Sequence, residues 1–254
     1  MYDDFAGVYD ALMDDYDYDA WSEYYLSLIR GALGELPARA AECACGTGSL
    51  TVRLARAGLN VVGVDLSAAM LRRAEEKARA WGVNAAFVRQ DMRRLTLPRR
   101  VGAVLATCDG VNYLTTPQDV RAFFRAAYAQ LLPGGVLCFD CSSRHKLEDE
   151  MGDAFFGEER DGIATLWQNA LNRQTHVLTM DVTFFVREAD GRYRRFREQH
   201  RQRAHSRQEI AAWLGEAGFE EIHAYGGMRW DAPVESDTRI HYTARRPREQ
   251  AFAL

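Results

Sequence analysis

Glu42-Cys43-Ala44-Cys45-Gly46-Thr47-Gly48 is the stretch from which the architecture can be read. The residues leading through it, Ala40 to Cys45, are small and mostly apolar, and suit a buried strand. Beyond it, Leu50, Val52, Leu54 and Ala55 recur at roughly helical spacing, and Gly58 can close that helix. A strand therefore turns sharply through two glycines into a helix. A glycine has no Cβ to hold a ligand away from the backbone. The N–H groups that open the helix face the same space.

The surroundings of the glycines say which ligand. A dinucleotide fingerprint needs a third glycine three residues after the second, and Thr51 stands there. Glu42 lies four residues before the first glycine, awkward beside a pyrophosphate and useful beside an ammonium group. Asp65 ends a second apolar run, Val61-Val62-Gly63-Val64, where an acid suits the two hydroxyls of a ribose. A third acid, Asp91, follows the short strand Ala85 to Val88 within Gln90-Asp91-Met92. It can accept from an adenine amino group while Met92 packs on the ring. An amine, a ribose and an adenine without phosphate make S-adenosylmethionine.

In order and spacing these three motifs resemble those of the class I S-adenosylmethionine-dependent methyltransferases. The resemblance implies an α/β fold: a Rossmann-like, mostly parallel seven-stranded sheet with helices on both faces. It implies that Ala44, Gly46 and Gly48 lie against the cofactor beside Glu42, and that Leu66, Met70 and Cys108 complete its pocket with Asp65, Gln90, Asp91 and Met92. The family usually has aspartate at the Glu42 position, a conservative departure.

The bulk numbers agree. The 254 residues suit one large domain or a domain with an insert, and 47% hydrophobic content is ordinary for a globular chain. A net charge of −4 gives no global reason to expect nucleic acid or membrane. An acidic start without a basic-then-apolar segment leads us to expect a cytoplasmic protein. Cys43, Cys45, Cys108, Cys138 and Cys141 fall in or beside strands and read as reduced core residues. No second pair stands near Cys43-x-Cys45 at zinc spacing, so no metal is expected.

Seven aspartates fall in the first nineteen positions, interleaved with aromatic residues. Two short helices are expected there, with the aspartates either simply solvated or part of a lid whose aromatic walls, Tyr9 and Trp21 first, touch the cofactor. From 40 to 141 strands and helices alternate, with a fourth strand at Ala103–Thr107, a helix at Gln118–Leu132 and a turn at Pro133-Gly134-Gly135 into a fifth strand. After a helix at Ser142–Met151, three strands are expected at Ile163–Asn169, Thr175–Val186 and Arg192–Arg203. Strands in succession argue for an antiparallel insert. Ser206 then caps a helix, Phe219–Ala224 and Arg239–Arg245 close the main sheet, and a frayed tail follows from Pro247.

The division expected is a cofactor-binding core at 1–141 and 204–246, its first 36 residues a helical cap, and a β insert at 142–203 over the substrate site. With the opening Phe5-Ala6-x-Val8-Tyr9-Asp10, this is similar to a bacterial branch near the deoxyaminosugar and glycine N-methyltransferases. It implies a small-molecule acceptor, an amine or a hydroxyl. RNA or protein methylation, and cofactor binding without catalysis, stand as alternatives, with a nicotinamide dehydrogenase behind them. The insert sheet could supply a homodimer contact.

An amine acceptor must be neutral to attack, so a general base helps. Asp109 and Tyr113, after the fourth strand, are candidates, with His200 in the insert as a third. Six arginines between Arg192 and Arg203 read as a solvated strand face or a partner for the acidic N-terminus, rather than an RNA-contacting surface.

Overall fold

The structure, a computed structural model, describes residues 2–14 and 16–248, and side chains from residue 5 onward. Two helices open it, α1 (Tyr2–Leu12) and α2 (Tyr18–Leu33), the second capped by Asp17, which accepts from the Ala20 N–H at 2.9 Å. Then β1 (Arg39–Cys43), β2 (Asn60–Asp65) and β3 (Ala85–Arg89) alternate with α3 (Ser49–Arg56) and α4 (Ala68–Trp81). Ser67 caps α4 and Gly82, left-handed, ends it. β4 (Val101–Ala106), α5 (Pro117–Gln130) and β5 (Leu131–Ser142) complete this half. A separate sheet follows, β6 (Phe155–Arg160), β7 (Ile163–Asn172), β8 (Val177–Arg187) and β9 (Tyr193–Arg203), each antiparallel to the next. The chain returns through α6 (Arg207–Glu216), opened by a capping box of Ser206 and Glu209, to β10 (Glu220–Gly226) and β11 (Arg239–Arg245).

The main sheet runs β10-β11-β5-β4-β1-β2-β3, with β1 to β5 parallel and β11 antiparallel to both neighbours. Alternate residues enter opposite cores. Ala41 and Cys43 join Phe123 and Phe124 of α5 and Trp213 of α6, while Ala40 joins Tyr25 and Ile29 of α2 and Leu54 of α3. Both faces are buried, which is why β1, β2 and β4 read as apolar runs rather than as alternation.

Four expectations need correction. The insert has four strands: β6 is exposed on both faces at its first five positions, so no period-two pattern announces it. Pro133-Gly134-Gly135 is a bulge inside β5 rather than a turn before it, with a register shift between the Val101 and Ala103 pairings, and α5 ends at Gln130. The expected helix at 142–151 is a π-helical turn, His145–Glu150, in which the Met151 N–H donates to the Lys146 carbonyl at 2.9 Å. The N-terminal aspartates are not simply solvated. Asp10 pairs with Lys77 of α4 at 2.9 Å, Asp19 with Arg53 of α3 at 2.7 Å and Asp14 with Arg160 of β6. The tail expected from Pro247 lies, from residue 249, outside the described residues. Among the described residues, no helix is long and apolar enough to cross a membrane.

Candidate active site

Parallel strands deliver their carboxyl ends to one edge of the sheet, where the crossover connections leave a crevice. Glu42 on β1, Asp65 ending β2, Asp91 after β3 and Asp109 after β4 meet there and line one cavity of about 460 Å³. Glu42 is only 2% exposed. Its carboxylate accepts from the hydroxyls of Thr51 and of Thr107, the latter at 3.2 Å, and burial pushes its pKa up to about 7. Thr51 occupies the position where a dinucleotide fold would carry its third glycine, and here it orients the acid instead. Asp65 accepts one backbone N–H on each oxygen, Gly46 at 2.9 Å and Ser67 at 2.8 Å. Burial raises its pKa while these bonds oppose the rise. Asp91 is gripped by Arg93, whose guanidinium also reaches Asp119 at 2.6 Å, and the pairing holds Asp91 below the usual carboxylate range.

The two glycines divide the labour. Gly46 lines the cavity at φ +53°, and a Cβ there would meet no atom within 4 Å. Gly48 does not line it. Its φ is +74°, and an added Cβ would sit 2.8 Å from the Ala74 Cβ, so this glycine lets α3 approach α4. Ala44, Leu66, Met70, Met92 and Cys108 line the cavity as expected, Leu66 61% exposed at its mouth. Gln90 lines it too, though its amide braces the following turn through Thr96. Tyr9 is in the wall, but Trp21 is not. Trp21 packs against Tyr16, Tyr25 and His241 with the Arg239 guanidinium 5.2 Å from its ring, and Tyr18 lines the cavity instead. The aromatic spacing in this segment named the right helix and the wrong ring. Phe5, Tyr18, Thr107 and Asp119 are further lining residues that sequence reasoning did not assign to the site.

A second cavity, of about 320 Å³, lies between α1, the insert sheet and the end of β4. It shares six wall residues with the first: Phe5, Tyr9, Cys108, Asp109, Tyr113 and His200. All three candidate bases are therefore at the junction. The Tyr113 hydroxyl lies 3.4 Å from His200 Nδ1, and His200 is buried, which lowers its pKa. Asp109 takes a hydrogen bond from the Ser142 hydroxyl at 3.0 Å and faces Arg239 at 3.6 Å. His200 comes from the middle of β9, where periodicity alone could not tell a site residue from a packed one. Of the arginines from Arg192 to Arg203, Arg192 and Arg194 pair with Asp190 and Glu188, and Arg203 with Glu209. The N-terminal aspartates take their partners from other elements.

Ala44, Cys108 and Asp109 hold φ of 53°, 54° and 55°. Left-handed backbone at non-glycine positions is uncommon and concentrates at ligand sites. These three stand at the tips of β1 and β4, on either side of the junction, while Asp161, His176 and Glu221 hold such backbone elsewhere.

A parallel sheet with an acid at each successive strand tip, and a glycine elbow whose partner is a carboxylate rather than a pyrophosphate, defines a nucleoside-binding transferase fold. The pattern described as "Methyltransferase domain" matches residues 40–135. A relative from Geobacillus sp. (strain WCH70) that carries a provisional methyltransferase name is 35% identical over 245 residues, 96% of this chain and 99% of its own. The structure of an S-adenosylmethionine-dependent methyltransferase from Clostridium acetobutylicum ATCC 824 is similar at TM-score 0.88 and 29% identity, covering 97% of this chain and 99% of that one. The S-adenosylmethionine-bound amino pentose methyltransferase of calicheamicin biosynthesis from Micromonospora echinaspora follows at TM-score 0.75 and 25% identity, covering 94% and 96%. This chain belongs to the S-adenosylmethionine-dependent methyltransferases, and S-adenosylmethionine is its cofactor. The pocket fits that molecule: a buried carboxylate faces it from β1 and open space lies over Gly46.

Proposed function

We propose that this enzyme methylates a nitrogen of a small-molecule amine held in the second cavity. The observation that carries the reading is the shared wall of the two cavities, with a buried histidine in it. Glu42 would hold the cofactor's ammonium group, Asp65 its ribose hydroxyls, and Asp91 the adenine edge. The cofactor supplies an electrophilic methyl group when bound. The chain's own residues do the rest by position: the strained tips of β1 and β4 fix the junction, and α1 with the insert walls the second cavity. An amine attacks only when neutral, and His200, kept unprotonated by burial, can take its proton while Tyr113 steadies the imidazole through Nδ1. A cavity of about 320 Å³ suits a small molecule rather than a nucleic-acid strand. The likeness to an amino pentose methyltransferase supports an amine acceptor.

The test is incubation of the purified enzyme with labelled S-adenosylmethionine and cell extract, followed by separation into small-molecule, RNA and protein fractions. Label in small molecules, as N-methyl products by mass, is the expected result. Label confined to RNA or protein would overturn the proposal, as would cofactor binding with no transfer to any fraction.

A further inference from the structure

The second cavity carries a charge that the transfer reading does not use. Its lining is mostly aromatic and thioether: Tyr16, Trp167 and Phe184 with Met13, Met151 and Met180. Two cations enter it, Arg239 and Lys146. Arg239 is satisfied, because it pairs with buried Asp140 and faces Asp109 at 3.6 Å. Lys146 is different. It sits on the π-helical turn, where the extra residue per turn re-aims side chains, and its backbone is pinned by the Ser143 hydroxyl, which accepts from the Lys146 N–H at 3.1 Å. As a residue it is half-buried, and among the described residues it has no carboxylate within ion-pair distance. Burial, together with the neighbouring Arg239, lowers its pKa, although Asp109, Asp140 and Glu150 oppose the fall. The remaining acid of this cavity, Glu158, is an exposed residue of β6. An ammonium on a cavity wall with no carboxylate paired to it is placed to take the anionic group of a ligand through a charge-assisted hydrogen bond.

We propose, building on the methyl-transfer reading, that the acceptor carries an anionic group, a carboxylate or a phosphate, and that Lys146 holds that group while the amine lies at the His200 junction. The aromatic walls then enclose the apolar part between the two ends. Lys146 so acts as a specificity-determining residue: it selects acceptors by charge at the end remote from the methyl group.

The test uses three aromatic probes of similar size, benzoate, phenylphosphate and benzamide, titrated by calorimetry into the protein saturated with S-adenosylhomocysteine. At least one anion is expected to bind about tenfold to a hundredfold tighter than benzamide, the range of one charge-assisted hydrogen bond. Which anion does so separates a carboxylate acceptor from a phosphorylated one. Lys146→Met is expected to erase the preference and Lys146→Arg to retain most of it, with S-adenosylhomocysteine affinity unchanged in both as a check on folding. Equal binding of all three probes, no binding of either anion, or a preference that survives Lys146→Met would overturn the anchor. Preferential anion binding through Lys146 in a protein that transfers no methyl group would leave the anchor standing and remove the transfer reading alone.

Discussion

If Glu42 holds the cofactor's ammonium group as proposed, cofactor binding is a proton-coupled event. Its carboxyl is held near pKa 7, against an ordinary 4.5, because burial disfavours the anion more than the Thr51 and Thr107 hydroxyls favour it. The folded, unliganded protein therefore keeps a proton that the unfolded chain has lost between about pH 4.5 and 7. By linkage, stability of the unliganded form falls as pH rises across that window, by on the order of 3 kcal/mol at most, and is flat above it. An ammonium group beside Glu42 reverses the balance and drives the proton off. At pH 6 a group with pKa 7 is about nine-tenths protonated, so S-adenosylhomocysteine should release about 0.9 proton on binding, falling to about 0.1 at pH 8. Affinity should rise about tenfold per pH unit up to 7 and then level. Calorimetry at pH 6 in buffers of different ionisation enthalpy measures the proton directly. Glu42→Gln should remove the release and the pH slope together, and weaken binding at pH 8 by about 2 kcal/mol, the loss of one charge-assisted hydrogen bond. A release of the same size in Glu42→Gln, or an affinity flat from pH 5.5 to 8 in the wild type, would refute the assignment of the ammonium to this acid.

Three further outcomes follow from the geometry. Asp65→Ala leaves the Gly46 and Ser67 N–H groups unpaired and removes the proposed ribose acceptor, so the Kd for S-adenosylhomocysteine should rise at least about a hundredfold, measured by calorimetry, with a rise under threefold counting against the site. Gly48→Ala should cost about 2–3 kcal/mol in urea unfolding through strained φ and the Ala74 contact, whereas Gly46→Ala, with nothing in its way, should cost only about 1 kcal/mol and act mainly on cofactor affinity. Lys77 bridges Asp10 of α1 to the Thr47 and Ser49 hydroxyls of the glycine elbow at 3.1 and 2.6 Å. Lys77→Met should speed amide exchange across Tyr2–Leu12 with a Tm change under about 3 °C, and unchanged protection there would show that the bridge does not hold the helix.

Much of this site was legible before any coordinates because its parts are local. A strand tip, a glycine elbow and an acid at fixed offset each occupy under ten residues, and parallel topology then brings the tips together without further information. Glu42, Asp65 and Asp91 could be named for that reason. What escaped reading depends on long-range packing. Trp21 and Tyr18 lie one turn apart on α2, and only the docking of that helix against β5 and β11 decides which ring meets the cavity. Gly48 reads as a ligand glycine until α4 arrives to occupy its Cβ position. β6 has no buried face, so no alternation marks it. Lys146 sits in a stretch that reads as ordinary helix, and the π-turn that aims it follows from packing of Leu147 against the insert.

On the proposed reading, catalysis by position requires that the junction not drift, and the buried polar groups beneath it account for that. Asp140, fully buried on β5, takes the Asp109 N–H at 2.9 Å, the Tyr25 hydroxyl at 2.9 Å and the Arg239 guanidinium. Tyr25 also reaches His241 Nδ1 at 3.1 Å, and burial lowers that histidine to about pKa 4, so it is neutral. Asn112 then fixes the next turn by taking the Ser142 N–H at 2.9 Å and donating to the Ser142 and Arg203 carbonyls. Such groups contribute little net stability, because desolvation offsets their attraction. Their effect is to leave the segment after β4 one conformation. Asp109 and Tyr113 project from that segment, and Asn112 joins it to β9, the strand that carries His200. The polar core thus ties the last strands of the main sheet and the insert to a single loop, and an error there would misplace all three junction residues at once.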